Sequence, residues 1–311
     1  MNWFPNSTWQ KNTNDAVFPI PLYNAPICNI TNKVLFAYSL RLVNANYNGA
    51  IIRVRRSRDN AELDIYPNQF GLLDLVTMQN FCPTGNGFIT TWYDQSGNGY
   101  NLTQSTAGSQ PQIITNGILE TINGNPTVNL LTNRTLSYAT TAFDWNDGYS
   151  ALCCITFINN STTVGADMTP LNLLSSINTG ISLAFTENNI GLNMPGASPL
   201  PFFGQNIKNL PRIFYAQWGK TITPYVDTFG ISCRTRVITT NSFTSTSFTV
   251  GRTSENTTGS RKINELYLFN GNMIPDFPNA VLNRRTNTQY EETFLNILKN
   301  VAKYNSIGLP I

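Results

Sequence analysis

From Val34 onward, short apolar runs alternate with clusters of Gly, Asn, Pro and Thr. Val34–Tyr38, Gly87–Tyr93, Thr127–Leu131, Gly180–Phe185, Arg212–Trp218 and Ile263–Phe269 are examples. They are rich in β-branched and aromatic residues, and several alternate apolar with polar positions, so one face is buried and the other solvated. Many short strands at such spacing, separated by turn residues, predict an all-β sandwich. Ile222–Asp227 followed by Phe229-Gly230 reads as a hairpin. Its Pro224, lacking an N–H, suits an edge strand or a strand start. Residues 1–30 are rich in Asn and Pro with scattered aromatics, and read as an extended N-terminal arm packing on a neighbour or on the domain surface.

Two segments change to helical spacing. Gln69–Phe81 presents Phe70, Leu73, Val76 and Met78 as an apolar set and predicts a short helix over 69–81. Near the C-terminus, Thr288-Gln289-Tyr290-Glu291 is a capping box, in which the Thr hydroxyl and Glu carboxylate satisfy free N–H groups reciprocally. Tyr290, Phe294, Ile297, Leu298 and Val301 follow on one face, so 288–304 is expected to be an amphipathic helix packed on the sandwich. With no repeat and no dividing linker, residues 31–311 form a single domain.

Composition narrows the chemistry. The 311 residues carry 12% charged side chains and a net charge of +3, while Asn and Thr make up about a quarter of the chain. Histidine is absent, which removes Ser-His-Asp and Cys-His catalysis and His-ligated metals together. The one dense basic stretch, Arg53-Val54-Arg55-Arg56-Ser57-Arg58, lacks the broad stripe and interleaved aromatics of a nucleic-acid groove. It is expected to be a strand end whose arginines pair with Asp59, Glu62 and Asp64, with no nucleic-acid partner. The five cysteines, Cys28, Cys82, Cys153, Cys154 and Cys233, are odd in number and contain no CxxC pair, against a disulfide framework or a thiolate zinc site. The adjacent Cys153 and Cys154 allow either a vicinal disulfide or two buried thiols on a strand. No apolar run reaches the length of a membrane span. Met1–Asn6 lacks the basic and apolar regions of a secretory signal, so none is expected. Seven Asn-x-Ser/Thr sequons, among them Asn6, Asn29 and Asn133, are about what this composition yields by chance.

The most distinctive loop is Asp94-Gln95-Ser96-Gly97-Asn98-Gly99, after the strand ending Trp92-Tyr93. Asp and Asn bond their own backbone and Gly supplies positive φ, so the loop can be a self-bonded turn. Alternatively Asp94 and Asn98 contact a sugar hydroxyl or Ca²⁺, with Trp92 as a stacking platform. No clear calcium motif accompanies this and no cofactor is expected. Trp145 and Trp218 are further candidate platforms, Trp218 with core packing as the competing role.

The order Ala37–Leu42, Tyr47-Asn48-Gly49, Val54–Asp59, Phe81-Cys82, Trp92–Gly99 and Asn101–Gln104 resembles the N-terminal half of the catalytic domain of the α-L-arabinofuranosidase B family. It is similar as well to lectin-like, laminin-G-type domains of phage and large-DNA-virus tail, fibre and capsid-surface proteins. The resemblance implies a concanavalin-like (jelly-roll) β-sandwich. In the hydrolase family an adjacent Cys pair is followed by a Glu-Asn nucleophile segment and then an Asp-Asn acid/base segment. Here Glu187-Asn188 and Glu255-Asn256 follow Cys153-Cys154, so the resemblance implies Glu187 as nucleophile and Glu255 as acid/base, a Glu where the family has Asp. The intervals are shorter than the family's, and the partner cysteine after Cys82 is missing.

The expectation drawn from these features is a virion structural or surface protein (capsid, tail or fibre) assembled inside a host cell. Its partners would be other virion proteins, copies of itself or a host glycan. The alternatives are a retaining α-L-arabinofuranosidase, for which two carboxyls lie about 5–5.5 Å apart, and an architectural capsid component without ligand.

Overall fold

The computed structural model describes residues 33–130, 133–144, 149–158, 168–174, 181–185, 189–193, 202–203, 211–218, 225–229, 244–251, 260–271 and 292–307. The expected arm over 1–30 lies outside them. In chain order the first strands are β1 (Val34–Ser39), β2 (Ile52–Arg56), β3 (Glu62–Ile65), β4 (Gly87–Trp92), β5 (Leu102–Thr103), β6 (Gln112–Thr115), β7 (Ile118–Leu119), β8 (Thr121–Ile122), β9 (Asn125–Pro126) and β10 (Val128–Leu130). There follow β11 (Thr135–Asp144), β12 (Tyr149–Ile158), β13 (Met168–Leu174), β14 (Ile181–Phe185), β15 (Asn189–Asn193), β16 (Phe202–Phe203), β17 (Pro211–Trp218), β18 (Tyr225–Phe229), β19 (Thr244–Gly251) and β20 (Ser260–Asn270). The described helices are α1 (Leu75–Phe81) and α2 (Glu292–Tyr304).

Antiparallel pairing arranges these strands as an all-β sandwich. One layer runs β18–β17–β12–β20, with β1 and β10 end to end along the far edge of β20. The other runs β3–β2–β4–β5–β11–β19–β13–β14–β15–β16, and β6 shares the β5 edge of β4. Among the described residues a single pairing, Asn129 with Gln112, joins the layers. β18, which begins just after Pro224, pairs with β17 alone among the described strands, as an edge strand opened by proline should.

The period-two patterns decide what lies between the layers. Phe36 and Tyr38 of β1, Cys153 of β12, and Leu266 and Leu268 of β20 meet Val54 of β2, Ile89 of β4, Leu136 of β11, and Phe248 and Val250 of β19 in one core. The Phe36 and Phe248 rings stand edge to face with centroids 4.6 Å apart, a favoured aromatic geometry. β20 has no polar face to give to water. Its alternate residues Tyr267 and Phe269 enter a second core with Cys154, Ile213, Tyr215 and, from α2, Ile297, Leu298, Val301 and Ala302. α2 is therefore a third layer, packed as its apolar stripe predicts.

A buried ion pair anchors α2. Arg41 donates from Nε to Glu265 Oε1 at 3.0 Å and from Nη2 to Oε2 at 3.2 Å. The hydroxyl of Tyr267 and the amide of Asn305 also donate to this carboxylate. The Arg41 guanidinium lies 4.3 Å from the centre of the Tyr304 ring. Glu265 is fully buried and Arg41 is 6% exposed. Burial acts to lower the Arg41 pKa, but Glu265 beside it leaves it raised.

The first helix is shorter than its periodicity predicts. Asp74 caps it, its carboxylate accepting from the N–H and hydroxyl of Thr77, so helix begins at Leu75 and not at Gln69. Before it, Asn68 Oδ1 accepts from the N–H groups of Phe70 and Leu72, and Leu72 and Leu73 form isolated bridges with Arg41 and Pro67. Leu73 and Met78 are buried as expected, whereas Phe70 and Val76 are exposed. Local Asn and Asp bonding competes with the first helical turn and wins. The capping box 288–291 lies outside the described residues, as does the side chain of Phe294. From Glu292 the helix continues to Tyr304, within the predicted span.

Candidate functional site

The Asp94 loop ties β4 to β1. Asp94 Oδ1 accepts from the N–H groups of Ala37 and Ser96, both at 2.9 Å, and Oδ2 from the Ser96 hydroxyl at 2.7 Å and the Tyr100 N–H at 3.1 Å. Those four donors fill the lone-pair sites of a carboxylate, and the residue is 3% exposed. Gln95 is buried beside it, donating to the Ser39 and Arg41 carbonyls and accepting from the Val43 N–H. Asn98 gives its side-chain amide to the carbonyls of Val34 and Leu35. Gly97 and Gly99 hold φ of +96° and +79°, which glycine adopts without steric cost. Both oxygens of Asp94 and the side-chain NH₂ of Asn98 are thus engaged in holding the loop.

Trp92 is fully buried. Its indole N–H donates to the Ser39 carbonyl at 3.1 Å and its ring packs near Tyr38, so it presents no face on which a sugar could stack. Trp145 lies outside the described residues. Trp218 closes β17, and its side chain is likewise not described. Cys153 and Cys154 are free thiols on the central strand β12. Successive strand residues point to opposite faces, so Cys153 lies in the core between the layers and Cys154 in the core beneath α2. Burial pushes both thiols well above the ordinary range. Two buried thiols is the arrangement found, rather than a vicinal disulfide.

Both candidate carboxylates, Glu187 and Glu255, lie outside the described residues; the strands leading to them, β14 and β19, are described. β13 pairs with β14 on one edge, Leu171 facing Leu183, and with β19 on the other, Leu171 facing Val250. β14 and β19 therefore run in the same direction on either side of β13, with Leu183 level with Val250 and Phe185 reaching a little past Gly251 to Met168. At the usual strand spacing these ends stand about 10 Å apart. Glu187 follows Phe185 by two positions in sequence, and Glu255 follows Gly251 by four.

The same end of this layer carries the arginine-rich strand. Arg53 clasps Asp64 with both forks, at 2.8 and 2.7 Å, and Tyr93 donates to the same carboxylate. These bonds, the one from Arg53 foremost, hold the Asp64 pKa below its ordinary value. Arg56 clasps Asp59 similarly at 2.8 Å. Carboxylate pairing accounts for these two arginines as the sequence implies, with Arg58 3.7 Å from Asp59. Arg55 differs, having Gln110, Asn60 and Ala107 as its partners. Arg134, which sequence reasoning did not single out, lies against the same ring as Arg55, that of Phe88. No motif marks it, because the two arginines are far apart in sequence and meet only through strand pairing.

Comparison with known proteins bears on what this scaffold does. Residues 31–168 match the family model described as alpha-L-arabinofuranosidase B, catalytic. The chain is 39% identical over 69 residues to a probable alpha-L-arabinofuranosidase B of Aspergillus flavus, covering 22% of this chain and 14% of the relative. The alpha-L-arabinofuranosidase B of Aspergillus oryzae is 38% identical over the same length and coverage. Among solved structures, a GH54 a-l-arabinofuranosidase soaked with a cyclic sulfate inhibitor superposes with a TM-score of 0.57 at 16% identity, covering 85% of this chain and 63% of that one. An arabinofuranosidase complexed with arabinofuranosyl-alpha-1,2-xylobiose gives 0.55 at 15% identity with the same coverage. The matched stretch is thus a small part of the curated relatives, and the fold match spans under two thirds of the solved enzymes.

These matches support the resemblance to the arabinofuranosidase catalytic domain. They overturn the expectation of a virion structural or surface protein, whether capsid, tail, fibre or ligand-free architectural component, and its placement in a virion. The relatives are fungal arabinofuranosidases. The Arg53–Asp59 and Asp94–Gly99 blocks hold strands of the sandwich together and do not by themselves mark a particle protein. Among the described residues no helix is long and apolar enough to cross a membrane.

Proposed function

We propose that the chain is a retaining glycoside hydrolase that removes α-L-arabinofuranosyl units, with Glu187 as nucleophile and Glu255 as acid/base. The observation that carries this reading is the match of residues 31–168 to the arabinofuranosidase catalytic model. Two further points support it. The strands preceding the two carboxylates run in the same direction on either side of β13 and end near each other. Strand ends about 10 Å apart are compatible with a carboxyl separation of about 5–5.5 Å, which a covalent glycosyl-enzyme route needs. The absence of histidine also removes imidazole acid/base chemistry, which fits a carboxylate pair. In that route Glu187 attacks the anomeric carbon while Glu255 protonates the leaving oxygen. Glu255 then takes a proton from the water that hydrolyses the intermediate.

The test is release of nitrophenolate from 4-nitrophenyl α-L-arabinofuranoside by the full chain. Wild type is expected to turn over with retention at the anomeric carbon, read by NMR of the first-formed sugar. Glu187→Gln and Glu255→Gln, each melting as wild type does, are expected to abolish turnover. Inactive wild type, or activity surviving Glu187→Gln, defeats the assignment.

A further inference from the structure

Three arginines of β2 are partly or wholly withdrawn from water, and two of them are neutralised by carboxylates. Arg53 holds Asp64 and Arg56 holds Asp59. Arg55 is the most buried of the three, 9% exposed, and has no carboxylate. Its Nε donates to Gln110 Oε1 at 2.6 Å, Nη1 to Asn60 Oδ1 at 2.7 Å, and Nη2 to the Ala107 carbonyl at 3.5 Å. Its cross-strand neighbour Glu62 forms no ion pair with it, and accepts instead from the Thr90 hydroxyl at 3.4 Å.

Arg134 joins Arg55 from the start of β11. Its Nη1 donates to the Gln110 carbonyl, so Gln110 holds one guanidinium through its side chain and the other through its backbone. Each guanidinium carbon lies 4.9 Å from the centre of the Phe88 ring. Burial, and then the charge of Arg55, lower the Arg134 pKa. Neither arginine has a carboxylate partner among the described residues. Two like charges gathered on one aromatic ring and drawn out of water are costly without an opposite charge. Of the five N–H donors in each guanidinium, Arg55 uses three and Arg134 one. The remaining donors are of the kind that carboxylates accept best.

Position gives the ligand its class. Thr135, next to Arg134, pairs with Gly251, the strand end that precedes Glu255. We propose that Arg55 and Arg134 form a subsite for the carboxylate of an acidic sugar residue, carried on the same polysaccharide as the arabinosyl unit that the neighbouring strand ends would process. The choice of a sugar rests on the hydrolase reading, whereas the need for an anion rests on the two arginines.

The experiment is calorimetric titration of the full chain at low ionic strength with D-glucuronate, its methyl ester and inorganic sulfate. Glucuronate is expected to bind, and sulfate and the uncharged ester to bind much more weakly. Arg134→Ala should weaken glucuronate about tenfold, the loss of a charge-assisted pair. Arg134→Lys, which keeps the charge and the fold but not the planar fork, should fall between. The proposal is overturned if glucuronate does not bind, if the ester binds as well, or if both variants bind as wild type does. Equal binding of sulfate overturns the sugar assignment in favour of a general oxyanion site. Binding that appears only in Glu255→Gln overturns it too, since the chain's own carboxylate would then be the partner. The readout needs no turnover. A chain that binds glucuronate but hydrolyses nothing removes only the hydrolase reading, and the converse removes only this one.

Discussion

Replacing Glu265 with Gln leaves the Arg41 guanidinium buried without its counter-charge. The carboxylate accepts four donors: Arg41 Nε and Nη2, the Tyr267 hydroxyl and the Asn305 amide. An amide removes the charge and turns an NH₂ group towards donors on one side. Tyr267 can rotate its hydroxyl to accept, but a guanidinium cannot accept at all. Breaking one partner of a buried pair costs about 3–5 kcal/mol. For a domain of this size, at roughly 2 °C per kcal/mol, Glu265→Gln should lower the melting temperature by about 6–10 °C. The urea midpoint should fall without a change in slope, since the loss is of stability and not of compactness. Hydrogen exchange should quicken first in α2, whose Tyr304 stacks on Arg41 and whose flanking Asn305 bonds Glu265. The double variant Arg41→Met/Glu265→Leu should recover most of the loss, because an apolar pair carries no desolvation penalty. A Glu265→Gln protein less than about 1 kcal/mol weaker than wild type would show that the pair is hydrated or dispensable, and would refute the account of how α2 is held.

Two other measurements follow. Cys153 and Cys154 should resist a thiol reagent in the native protein and react once it is unfolded in denaturant, because both are buried with raised pKa values; a native mass two daltons short of the reduced chain at this peptide would contradict the two-thiol arrangement. Asp64, its folded pKa depressed chiefly by Arg53, contributes stability present above the unfolded carboxylate value of about 4 and lost as pH falls through its lower folded value; Asp64→Asn should therefore lower stability at neutral pH and converge with wild type in acid, so that its acid limb is flatter, and an acid limb identical to wild type would sink that assignment.

What the sequence made legible depended on whether the cause was local. Strand runs such as Ile263–Phe269 and the α2 stripe are written in side-chain period, and both are found where the period puts them. The start of α1 was misread because Asn68 and Asp74 bond their own backbone, which periodicity does not register. Trp92 illustrates a different limit. A Trp after a strand and before a polar loop suits a sugar platform or a core equally, and only its indole bond to Ser39 separates them. The buried Glu265 was hidden in an apolar run, with its partner Arg41 far away in sequence. Arg134 was invisible for the same reason, since its neighbour Arg55 is reached through β11, β5 and β4.

β20 also sets a condition on synthesis. It is the strand to which β1, β10 and β12 all pair, and it joins Val34 to Phe269. Those earlier strands cannot complete their layer until residue 270 has left the ribosome. Until then β1 and the second edge of β12, which has only β17 beside it, await their partner strand, the exposure that invites association between nascent chains. Contacts of such long sequence separation also close slowly. Chains that stall before Ser260 should accumulate as aggregates rather than as a smaller folded domain, so β20 decides whether the strands made before it become a protein.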